Sequence, residues 1–72
     1  MKRLANISGH KAVKIFCKFG YQIARQTGSH IILKHPEKPP LVIPDHKEVA
    51  PALLRTQIIR AGLSIEEFME YK

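Results

Sequence analysis

Apolar and polar residues alternate along this chain at two different periods. From Ser8 to Gly20, Ala12, Val13, Phe16 and Cys17 recur at helical spacing, with Ser8 placed as N-cap and Gly20 as the stop. Tyr21 to Gln26 and Ser29 to His35 are short runs rich in β-formers, and Thr27-Gly28 between them supplies the glycine that a two-residue hairpin turn needs. On that turn Gln26 faces Ser29 and Arg25 faces His30. Pro36-Glu37-Lys38-Pro39-Pro40 lacks three backbone donors and is a loop. Leu41-Val42-Ile43, stopped by Pro44, predicts a third strand.

Asp45-His46-Lys47-Glu48 then leads into a helix with Pro51 in its first turn, a buried stripe of Leu53, Leu54, Ile58 and Ala61, and Gly62 as its stop. Ser64-Ile65-Glu66-Glu67 matches a capping box, so a short last helix with Ile65, Phe68 and Met69 inward closes the chain. The predicted order is α-β-β-β-α-α. Helices must bury their stripes somewhere, and the sheet is the available partner, so they are expected together on one of its faces in an α+β domain spanning residues 1–72.

Charge adds a direction to this picture. The 72 residues carry 12 lysines and arginines against 6 acidic side chains, a net charge of +6 that fits either an acidic partner, nucleic acid or protein, or a solvated basic surface that aids solubility. The first 35 residues hold no acidic residue, while Lys2, Arg3, Lys11, Lys14, Lys18, Arg25 and Lys34 all fall there. Lys11, Lys14 and Lys18 share a helix face, as an ordinary solvated ridge or as a track for phosphates. A lone cysteine, Cys17, excludes an internal disulfide. Met1 to Ala5 has the charge of a leader peptide but no apolar run follows, and no stretch reaches membrane-spanning length, so a soluble, cytoplasmic protein is expected.

The order and spacing of several short motifs resemble those of one family. Gly20-Tyr21, Arg25-Gln26-Thr27-Gly28-Ser29-His30, the pair Pro44 and His46, Leu54-Arg55, and Ala61-Gly62-Leu63-Ser64 with Glu67-Phe68 are similar to the HicA, or YcfA-like, toxins of bacteria and phages. The resemblance covers nearly the whole chain, and Gly-Ser-His after Arg-Gln is its most specific part. It implies a fold like the double-stranded-RNA-binding domain, an endoribonuclease that cuts messenger RNA with little sequence preference, and a HicB-family antitoxin bound over the active site.

That activity explains what His30 would do. Cutting RNA without a metal means removing the proton of a ribose 2′-hydroxyl as it attacks phosphorus and returning a proton to the departing 5′-oxygen. Imidazole, with an unperturbed pKa of about 6.5, offers both forms near neutrality. Positioned proton transfer contributes roughly 10²–10⁴-fold, so phosphate alignment must supply the rest. Arg25, Lys34 and the Ser29 hydroxyl are the candidates for holding the phosphate. His46, after Pro44 and Asp45, is a second proton-transfer group, an RNA contact, or a loop histidine capping the next helix. His10 is expected to be solvated, and His35, five residues after His30, to face the other way.

Other chemistries find no support in the sequence. The histidines and the cysteine, at 10, 17, 30, 35 and 46, form no close ligand pair such as CxxC or HxxxH, so no metal or cofactor is expected. Ser29 and His30, adjacent on a strand, point to opposite faces and do not make a nucleophile and its base. Two further readings stay open: an RNA-binding module without catalysis, tracking phosphates with Lys11, Lys14, Lys18 and the hairpin, and a domain whose basic face meets an acidic protein.

Overall fold

The computed structural model describes residues 4–72. Lys2 and Arg3, counted above with the basic residues, and the first part of the leader-like stretch lie outside the described residues. In order come α1 (Gly9–Cys17), β1 (Gln22–Thr27), β2 (His30–Lys34), β3 (Leu41–Pro44), α2 (Pro51–Arg60) and α3 (Ile65–Met69). The strands form an antiparallel sheet in the order β1-β2-β3. This is the expected α+β arrangement, consistent with the double-stranded-RNA-binding-domain-like fold. Among the described residues no helix is long and apolar enough to cross a membrane.

Strand alternation decides which way the sheet faces. Ile31 and Leu33 of β2 pair with Ile43 and Leu41 of β3, and all four are buried in one cluster with Val13, Phe16, Leu54, Ile58 and Phe68 from the helices. The intervening residues point the other way: His30, Lys34 and Val42 are exposed, Ile32 is half-buried and Pro44 is buried. Phe16 holds the aromatic centre of this core, with ring centroids 6.0 Å from Tyr21 and 5.0 Å from Phe68. The helix ends follow local rules: Ser8 Oγ accepts from Lys11 N, and Ser64 with Glu67 completes a reciprocal capping box.

Three expectations need correction. The hairpin turn is Gly28-Ser29, so Thr27 pairs with His30 and Arg25 with Ile32, and Arg25 does not face His30. A Thr27-Gly28 turn of either hairpin type would force β-branched Thr27 to a positive φ, whereas shifting by one residue gives that position to Gly28, at φ +59°. Cys17, the last residue of α1, is exposed, and Ile15 is buried in its place. Because α1 meets both β3 and α3, its apolar stripe is broader than one helical face. Leu53 is 39% exposed and belongs to the surface of α2, while Leu54, Ile58 and Ala61 carry its packing.

The two edges of the sheet differ. At β3, Val42 N–H donates to Gln57 Oε1 and the Pro40 carbonyl accepts from Arg60 Nε, so α2 seals that edge. Pro44 has no N–H to offer. β1 is exposed along its whole length, with a bulge between Ile23 and Arg25 that bends it. It is the open edge.

Candidate active site

Three of the candidate residues, Arg25, His30 and Lys34, share the outward sheet face. Pairing places Arg25 and Thr27 of β1, His30, Ile32 and Lys34 of β2, and Val42 and Pro44 of β3 on it. At its β3 side the face drops into a cleft of about 360 Å³ lined by His30, Val42, Pro44 and His46 and, from α2 and the turn before it, Ala50, Leu53 and Gln57. Two exposed histidines from separate parts of the chain therefore border one space. Cross-strand pairing brings them there: Pro44 is the partner of His30, and His46 follows Pro44 by two residues.

The loop that holds His46 is tied down on three sides. The His46 carbonyl accepts from Gly9 N at 2.9 Å, the first helical residue of α1. Asp45 N–H donates to the Ser29 carbonyl at 2.6 Å, which continues the ladder past β3 to the hairpin turn. The Asp45 carboxylate accepts from Gln26 Nε2 at 3.1 Å and meets His10 Nε2 at 2.9 Å, while Gln26 also donates to the Gly28 carbonyl. One side chain thus links α1, the turn before His30 and the loop bearing His46. Gly9 makes this possible because a Cβ there would overlap the Pro44 carbonyl oxygen.

The remaining candidates are spread around this centre. Arg25 shares the sheet face with His30 but stands diagonal to it rather than opposite. Lys34 is four residues along β2, about 13 Å away at strand spacing, and borders a smaller hollow with His35, Lys38 and Pro40. Ser29 is an exposed turn residue whose carbonyl, not its hydroxyl, has a bond partner. Lys11 and Lys14 are exposed on α1, in the helix layer and not on the open sheet face. Ala50 is the N-cap of α2 and no side chain caps that helix, so His46 does not.

The other two histidines have partners of their own. His10 is exposed, as expected, and its Nε2 lies 2.9 Å from the Asp45 carboxylate. His35 accepts from Glu37 N at Nδ1, so its Nε2 is the donor to the Phe19 carbonyl, and its ring lies 5.0 Å from that of Tyr21. Burial pushes the Tyr21 phenol above its ordinary range, opposed in part by Arg60, and keeps it a donor to the Pro39 carbonyl at 2.9 Å. Sequence reading missed Gly9, Gln26, Asp45 and Gln57 as parts of the site. For Gly9 the only signal was a glycine directly after an N-cap serine. Among the described residues no three His, Cys, Asp or Glu side chains are grouped as a metal ion would need.

A family model described as HicA toxin of bacterial toxin-antitoxin matches residues 9–63. The match begins at the first residue of α1 and runs past α2, so it takes in the whole sheet and the cleft. No curated protein matches the chain.

Proposed function

The chain belongs to the HicA toxin family, and from that premise we propose that it is a metal-independent endoribonuclease, cleaving messenger RNA in the cytoplasm and neutralised by a HicB-type antitoxin. Its role as a toxin, with an antitoxin as counterpart, comes with the family. The observation that supports the nuclease reading is the pair His30 and His46 on one cleft, at the edge of a basic, outward sheet face.

RNA cleavage by its own 2′-hydroxyl needs two proton transfers, and two imidazoles supply them. One nitrogen takes the 2′-hydroxyl proton as that oxygen bonds to phosphorus. The second ring gives a proton to the 5′-oxygen as its bond to phosphorus breaks. The products are a 2′,3′-cyclic phosphate and a 5′-hydroxyl. His30 is the primary group, fixed by two ladders at the start of β2, and His46 is its counterpart on the tethered loop. Arg25 and Lys34 hold phosphates along the face, with Ser29 beside the turn. Lys11 and Lys14 draw RNA from a distance.

The antitoxin blocks the same face. Its carboxylates pair with Arg25 or Lys34, and its backbone adds to the bare edge of β1, since α2 already occupies that of β3. A complex that leaves His30 open to solvent refutes this mode.

The test is cleavage of a long single-stranded RNA in EDTA by the wild type and by His30→Ala, with circular dichroism to show that both are folded. Cleavage by the wild type alone, leaving 2′,3′-cyclic phosphate ends, is the expected result. Equal cleavage by both removes His30 from the mechanism, and binding with no cleavage by either leaves an RNA-binding module.

A further inference from the structure

The walls of the cleft are of a different kind from its rim. Val42 and Leu53 are 43% and 39% exposed, though they belong to elements whose other large apolar side chains are mostly buried. With Pro44 and Ala50 they form apolar walls, which a phosphate would gain nothing from entering. A flat, neutral ring suits them better. At about 360 Å³ the space is at the small end of the range for ligand clefts, roughly 300–1,000 Å³, a size for one base rather than a helix.

Gln57 gives the cleft a polarity. The Val42 backbone N–H can only donate, so the side-chain oxygen of Gln57 must be the atom that meets it, at 3.3 Å. That contact turns the amide nitrogen the other way, and among the described residues it has no partner. Gln57 therefore lines the cleft with its two amide N–H donors uncommitted, while its oxygen is already engaged by Val42. A keto oxygen complements that group, whereas an exocyclic amino group sets N–H against N–H. Guanine O6 and uracil O4 accept; adenine N6 and cytosine N4 donate.

We propose that this cleft is a base-reading subsite that takes one unstacked nucleobase of a single-stranded RNA and favours guanine or uracil over adenine or cytosine. The inference rests on the nuclease reading for the choice of RNA as ligand, with the +6 net charge and the basic sheet face as the complement to its backbone. It goes beyond that reading by giving the cut a preferred neighbour. Val42 and Leu53 give the flat base an apolar surface to lie against, which leaves His46 to the proton transfer assigned to it.

The experiment compares 2′-O-methyl hexamers of uridine and of cytidine, which have no nucleophile and so report binding alone. The wild type is expected to hold the uridine hexamer roughly three- to tenfold more tightly, the worth of one neutral hydrogen bond. Gln57→Glu keeps an oxygen for Val42 but presents only acceptors to the cleft. It should erase or invert the ratio while circular dichroism shows the fold unchanged. Equal affinities in the wild type, or an unchanged ratio in folded Gln57→Glu, overturn the proposal. Failure of the nuclease reading is separable: a uridine preference in a protein that cuts no unmodified RNA retains the subsite and removes the enzyme, and cleavage with equal affinities does the reverse.

Discussion

Changing Gly9 to alanine adds one methyl group where α1 crosses the end of β3. At an unhindered helix position the change stabilises by about 0.5–1 kcal/mol. Here the new Cβ overlaps the Pro44 carbonyl oxygen and lies 3.1 Å from both Pro44 C and Asp45 Cα, all of them backbone atoms. No side chain can swing aside, so α1 and the strand end must part. Overpacking of this kind costs about 1–3 kcal/mol. Moving apart also strains or breaks the 2.9 Å bond from Gly9 N to His46 O, worth about 0.5–1.5 kcal/mol. Allowing for the helix gain, the net destabilisation is about 1–3 kcal/mol. For a domain of this size each kcal/mol shifts Tm by roughly 4–8 °C, so Gly9→Ala should melt about 5–20 °C lower in a scan followed by circular dichroism. RNA cleavage should fall as well below Tm, because the loop carrying His46 is displaced. A Gly9→Ala variant as stable as the wild type, or more so, refutes the reasoning.

Other parts of the molecule give equally definite expectations. Phe16→Ala empties the aromatic centre and should cost about 3–5 kcal/mol, much of the roughly 4–11 kcal/mol that holds a domain of this length, so urea should unfold it at far lower concentration. Hydrogen bonds from the backbone and hydroxyl of Ser64 hold the Glu67 carboxyl below its ordinary range. A folded-state pKa lowered in this way adds stability above the unfolded value, about 4.3, and loses it as pH falls through the lower one. Glu67→Gln, which keeps the capping geometry, should therefore flatten the acid limb of stability against pH; an unchanged limb rules this contribution out. Arg25→Ala and Lys34→Ala should each reduce the slope of log affinity against log salt for single-stranded RNA by about 0.7, and Lys14→Ala, on the helix layer, should not. Equal slopes in all three would move the RNA path off the open sheet face.

Much of the fold was legible because its signals are local. Ser8, Ser64 with Glu67, Pro51, and the prolines from Pro36 to Pro44 act on backbone groups within a few residues, and they appear in the structure where the sequence places them. The inward set of the sheet, Ile31, Leu33, Leu41 and Ile43, follows from period-two alternation. His30 was legible as a site candidate for the same reason, as the opening residue of a strand after a glycine turn in a motif that resembles a known family.

What the tertiary structure decided is everything that depends on residues far apart in the chain meeting. Hairpin register turned on which residue tolerates a positive φ, and the choice moved Arg25 away from direct opposition to His30. His46, a candidate from the sequence, is brought to the same cleft as His30 by the pairing of Pro44 with His30, and its loop is held by Asp45 contacts to His10, Gln26 and Ser29, which span up to 35 residues. The donor face of Gln57 exists because α2 lies against the β3 edge, 15 residues away in sequence. Local propensity carries no information about such encounters. They are set by how the sheet and the helices share one core.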